Sequence, residues 1–225
     1  MTFISLFLIV GGLVTGFCIA ADIRHRPQPM KIMNITWPVT GLYMPVFGLF
    51  VWRKLGKSAA QHSSDSSSDK QHKTQPHSVD WRAACVSATH CGAGCVIGDI
   101  LAAPVAALTH FSLAGSAFFG HTFLSYVAAF LVGILFQYLP MREMGEKSRS
   151  MALVKAIKAD TISLTVFQAG MFLVLWLFRQ AFTGDAPEVD SMRFWGEMIV
   201  AMFIGYVISV PANALLIKRG IKHAM

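Results

Sequence analysis

Six stretches of this chain are too apolar and too long for an ordinary soluble fold. They are Phe3–Ala20, Ile32–Trp52, Ala83–Leu108, His121–Leu139, Ala152–Phe178 and Phe194–Ile217, each of eighteen residues or more. At ~1.5 Å rise per residue, eighteen helical residues reach ~27 Å, close to the ~30 Å of a bilayer's hydrocarbon core. Lipid offers no partner to backbone N–H and C=O groups, so segments like these cross it as helices. Only 14% of residues are charged, against about 25% in soluble domains. The expected fold is all-α, a polytopic transmembrane helix bundle of about six spans, with the lipid bilayer as its surroundings.

The organisation follows from what separates those stretches. Residues 1–52 read as two N-terminal spans. Pro38 and Pro45 must kink or break the second, which leaves a re-entrant segment as the alternative to a crossing. Residues 53–80 are a serine-rich, charged linker that cannot bury a core and is expected to be disordered. Residues 81–225 read as a four-helix membrane core. The net charge is +7; in a membrane protein such an excess sits in cytoplasmic loops and sets orientation. No basic stripe is interleaved with exposed aromatics, so nucleic acid is not an expected partner. With six spans both termini lie on one side, and the weight of Lys and Arg makes that side cytoplasmic. Arg24, Arg26 and Lys31 then fall outside, a conflict that a re-entrant second segment removes.

One polar patch interrupts the apolar third stretch: Thr89-His90-Cys91-Gly92-Ala93-Gly94-Cys95-Val96-Ile97-Gly98-Asp99. Residues four apart share a helix face, so Cys91, Cys95 and Asp99 stack on one stripe, with Ser87 a turn earlier and His90 one position off. Thiols and imidazole suit soft metals, Cu(I) above all. Cys91 and Cys95 can place two sulfurs on one ion, with His90 and Asp99 as further ligands. Met141, Met144 and Met171 are accessory soft donors. The competing reading is packing: cysteine fills a core as a small apolar residue, and methionine as a gap-filler. Gly94 and Gly98 then mark a close helix contact.

A second polar set lies toward the basic ends of the later spans: Gln137, Lys158, Asp160, Gln168 and Asn213. It reads either as a clamp between helices or as an ion path. Ionisable residues within a membrane call for a functional explanation. Signatures of hydrolases, nucleotide-binding loops and zinc proteases are absent, so enzymatic activity is not the leading expectation.

Several pieces together resemble a known family. They are Trp37-Pro38-Val39-Thr40-Gly41-Leu42-Tyr43, the His90-Cys91-x-x-x-Cys95-x-x-Gly98-Asp99 patch, Phe136-Gln137-Tyr138 before Pro140, and Lys155-Ala156-x-Lys158-Ala159-Asp160. Further on come Phe167-Gln168-Ala169-Gly170-Met171, and Pro211-Ala212-Asn213 leading to Arg219-Gly220-Ile221-Lys222. The chain from about Trp37 onward is similar to the bacterial multi-pass membrane family catalogued as domain of unknown function 4396. The resemblance implies a bacterial inner-membrane protein and brings no mechanism.

The expected function is binding or transport of a soft metal ion, copper first, through His90, Cys91, Cys95 and Asp99. The alternatives are a channel or transporter for a small ion or solute using Asp99, Lys158 and Asp160, and a membrane oxidoreductase working through the thiols. A homo-oligomer is compatible with each.

Overall fold

The computed structural model describes residues 2–28, 30–56, 81–143, 148–182 and 189–222. Among them every regular element is helical, apart from one tight bridge between Leu113 and Ser116. Five helices are long and apolar enough to cross a membrane: α1 (Thr2–His25), α4 (Trp81–Thr109), α5 (Ala117–Glu143), α6 (Arg149–Ala181) and α7 (Met192–Lys218). Between the first two stand short α2 (Met33–Tyr43) and α3 (Phe47–Val51), then a π-helical turn, Trp52–Gly56. The chain is a multi-pass membrane protein. The expected linker begins one turn late, since residues 53–56 are helical; residues 57–80 lie outside the described residues.

The segment expected as a second span does not cross. α2 runs inward along α1, and a Cβ on Gly41 would lie 2.6 Å from the Gly16 nitrogen. The helix stops before Pro45, whose ring cannot continue the backbone ladder. The Phe47 N–H then donates to the Pro45 carbonyl at 2.6 Å, closing a three-residue turn on Val46. Val46 has φ 63°, a strained position for a β-branched residue. Its N–H is not left bare, because it donates to Thr15 Oγ1 of α1 at 2.9 Å. Non-helical backbone at membrane depth survives only where protein supplies such partners.

Past this turn the chain heads back. Trp52 Nε1 donates to Asp22 Oδ2 at 2.7 Å, and Gln28 Nε2 donates to the Gly56 carbonyl at 3.3 Å. The Trp37 and Trp52 rings meet edge to face, 5.3 Å apart. The hairpin therefore leaves by the end at which it entered. Six crossings become five crossings and one re-entrant hairpin, and Thr2 and Lys218 lie at opposite ends of the bundle rather than on one side. The far end carries its own marker: Ser5 of α1 packs on Gly196, one turn into α7. Corrected in this way, the charge conflict disappears. Counted along the sequence, seventeen of the nineteen Lys and Arg residues fall in the connections, the flanking helix turns or the tail at the end where α1 and α7 finish; Arg179 and Arg193 belong to the other.

α4 sits at the centre, packed against α2, α5, α6 and α7. It needs no charged outer face, and eighteen of its residues are buried. Gly94 and Gly98 both face α5. A Cβ on Gly94 would lie 3.3 Å from the Gly133 Cα, and one on Gly98 would strike the Ala129 backbone. The outer helix faces expose Phe3, Phe7, Leu108, Leu131 and Val154, side chains suited to acyl chains rather than water.

Two outcomes follow. Thr15→Val removes the acceptor for the Val46 N–H and should cost about 1 kcal/mol or more, whereas Thr15→Ser keeps it; thermal denaturation in detergent reads the difference. Single cysteines at Thr2 and Lys218, in a chain freed of its native thiols, should label from opposite sides of sealed vesicles.

Candidate functional site

The stripe on α4 is the spine of a buried polar column. Ser87, Cys91, Cys95 and Asp99 recur every fourth residue, and each is at most 1% exposed. Each meets a different neighbour.

At the end where α7 finishes, Asn213 is the hub. Its Oδ1 accepts from Ser87 Oγ at 3.1 Å, from Ser163 Oγ of α6 at 2.9 Å and from Lys222 Nζ at 2.9 Å. Its Nδ2 donates to the Ser209 carbonyl at 2.9 Å, which fixes which way the amide points. Lys222 also donates to Ser163 Oγ at 3.4 Å. Lys222 lies beyond α7 and reaches inward by a helix-terminal turn. Gly220, at φ 65°, donates to the Ile217 carbonyl, and Ile221 to the Leu216 carbonyl, both at 3.0 Å. This paired pattern reverses the chain and favours glycine at the left-handed position. Lys222 ends 2% exposed. Burial pushes its ammonium below the usual lysine range, while Cys91 and Asp160 nearby pull it back up.

In the middle, Asp160 of α6 points at α5. A Cβ on Gly133 would strike Asp160 Oδ2, so this glycine makes room for the carboxylate. Oδ2 has no hydrogen-bond partner; the Lys222 ammonium bonds to Asn213 and Ser163 instead. Cys91 and Cys95 lie one turn apart on the same face of α4, and Cys95 lies within electrostatic reach of both Asp99 and Asp160. Neither thiol is in a disulfide. The Tyr43 ring from the re-entrant hairpin closes the side, with its hydroxyl packed on Gly92. His90 packs against the backbone of Phe136 and its ring, centroids 5.7 Å apart, with its Nε2 buried and unpartnered and within electrostatic reach of Lys222.

Toward the other end, Asp99 is wholly buried, and neither of its oxygens has a hydrogen-bond partner. Ser125 of α5 approaches it without closing a bond of good geometry. Ser125 Oγ in turn lies 3.5 Å from His121 Nε2. From Lys222 to His121 the polar groups thus run as one file through the bundle.

The structure sorts the sequence candidates. Asp160 and Asn213 belong to the column, with Gln137 buried on α5 and its Oε1 unpartnered. Lys158 does not belong: two residues from Asp160 it is turned to the outside, and Lys222 is the cation near that carboxylate. Gln168 is buried but lines a groove of about 640 Å³ between α5 and α6. Met171 packs on Gly205; Met144 and the Met141 side chain lie outside the described residues. Among the described residues, no three of His, Cys, Asp and Glu come together as metal ligands. Sequence reasoning missed Ser125 and Lys222. Glycine just past a helix, as at Gly220, was the available signal for a tail that turns back.

Fold and site define a polytopic helical membrane protein with ionisable groups in its interior. The chain belongs to the family described as domain of unknown function DUF4396, which matches residues 80–222. The match covers α4 to the Lys222 turn and leaves the hairpin outside it. No curated protein and no solved structure matches the chain.

Asn213→Leu should be more damaging than its change of size suggests, because it strands Lys222, Ser87 and Ser163 together. A hydrogen bond to a charged group alone is worth about 1.5–3 kcal/mol. Denaturation of Asn213→Leu alone and combined with Lys222→Met checks this: the second change should recover part of the loss.

Proposed function

We propose that this protein carries a small cation across the membrane along the column from Lys222 to His121. The observation behind this reading is the pair of carboxylates at its heart. Both Asp99 oxygens and Asp160 Oδ2 are buried without partners, in a bundle whose outer faces are apolar. Carboxylates at such depth are costly, and an unsatisfied one within a membrane calls for a functional role such as an ion pathway. Hydroxyl groups of Ser87, Ser163 and Ser125 flank them at either end, and oxygen donors suit hard cations and protons. The end rich in Lys and Arg faces the cytoplasm by the positive-inside rule, which puts Lys222 at the inner mouth and His121 toward the outside. A bacterial inner membrane is consistent with the family.

The test is flux into proteoliposomes, followed with a pH dye and with monovalent-cation probes. Asp99→Asn and Asp160→Asn should each abolish flux, while Cys91→Ala and Cys95→Ala leave most of it. Flux indifferent to both carboxylates would end this proposal.

A copper reading keeps one observation in its favour, two free and buried thiols, Cys91 and Cys95, one turn apart on the same face of α4. Two sulfurs can hold Cu(I), with other donors moving in on binding. Cu(I) loaded onto purified protein and lost on replacing both cysteines by serine would support it; stoichiometry unchanged by that double replacement would dismiss it.

A further inference from the structure

The inner end of the column has the chemistry of a binding site, and the chain fills it with its own lysine. Around Lys222 Nζ stand the Asn213 carbonyl oxygen at 2.9 Å and the Ser163 hydroxyl at 3.4 Å. Ser87 holds the same carbonyl from the opposite side, and Asp160 supplies the negative charge without contacting the ammonium through Oδ2. Neutral oxygens placed to accept N–H donors, backed by a carboxylate at a distance, recognise an ammonium group. The asparagine cannot offer its amide nitrogen instead, because Nδ2 is committed to the Ser209 carbonyl.

The route by which Lys222 arrives matters as much. It is not a residue of a membrane helix. A glycine turn carries it back into the bundle, and Lys218, on the last turn of α7, stays exposed. The turn, the head-group bonds and the burial of its stem hold it in place. A tethered cation of this kind competes with free ones through its effective concentration, of millimolar order for a short flexible tether.

We infer that Asn213, Ser163, Ser87 and Asp160 form a site for a small alkylammonium or ammonium ion, and that Lys222 occupies it as an intramolecular stand-in. This deepens the transport reading by naming the class of cation received at the inner mouth: one that donates N–H hydrogen bonds. It takes from that reading only the role of the site in transport, so binding and flux can fail separately.

The first experiment uses the full-length wild-type protein in detergent. Amine-reactive labelling, located by mass spectrometry, should modify Lys222 at least roughly tenfold more slowly than Lys218, as expected for a group freed only by local opening. Methylammonium chloride, which itself consumes the reagent, should raise the ratio of Lys222 to Lys218 labelling, and tetramethylammonium chloride at the same ionic strength should leave that ratio unchanged. Protection that methylammonium leaves unchanged, or labelling of Lys222 as fast as Lys218, overturns the proposal.

The second experiment uses Lys222→Ala, which removes the equivalent of a propylammonium ion. Its melting temperature should fall and be restored by propylammonium, but not by tetramethylammonium or sodium. Lys222→Met, which fills the channel with a neutral chain, should show no such response. Equal recovery with sodium would reject the N–H specificity. If Lys222→Ala does not fold, the labelling result on wild-type protein still decides. Loss of flux with these binding results intact would remove the transport reading and leave the site.

Discussion

Hydrocarbon makes an unanswered polar group costly, and one amide oxygen answers three here. Asn213 Oδ1 receives Ser87 from α4, Ser163 from α6 and Lys222 from beyond α7. Through that atom three helices and a returning tail are held in a single arrangement. Apolar packing between membrane helices is poorly discriminating, since lipid tails are as apolar as leucine. A buried network with directional bonds chooses one register among many near-equals. The glycine contacts of α4 with α5 then bring the backbones close enough for Asp99, Asp160 and the thiols to share a narrow space.

The same economy explains the hairpin. A broken helix at membrane depth exposes N–H groups that water cannot reach. Thr15 answers one of them, at the strained Val46. Asp22 and Gln28 secure the returning arm through Trp52 and Gly56. Tyr43, just before the break, is thereby pressed against Gly92 and the cysteine stripe. A segment outside the family match thus forms one wall of the column.

The apolar runs and the stripe on α4 were legible in the sequence because both are periodic or additive properties. Hydropathy measures how oily a segment is, and Ile32–Trp52 is as oily as a crossing helix. It carries no information on direction, so Pro38 and Pro45 raised the re-entrant alternative without deciding it. The loop charges were the better clue: Arg24, Arg26 and Lys31 fit only when the hairpin turns back. Asp160 and Asn213 were legible as polar residues in oil, but their partners were not. Lys158 stands near Asp160 in sequence, but two residues along a helix is just over a half-turn, which points it away. The partner came from sixty residues on, delivered by a glycine turn whose meaning lies in three dimensions. His90 shows the converse: adjacent to Cys91 in sequence, it spends its ring on Phe136 of another helix.

The Gly220 turn hangs Lys222 from the end of α7. Asn213 rides on the helix itself and Lys222 on the turn that follows it, while Ser87 and Ser163 belong to neighbouring helices. A twist of α7 about its own axis would carry hub and lysine away together, like a key turning in a lock, and both serines would lose their acceptor in the same motion. Two movements of different reach thus bear on this mouth: the turn alone, which withdraws the lysine and leaves its acceptor, and rotation of the whole helix, which withdraws both.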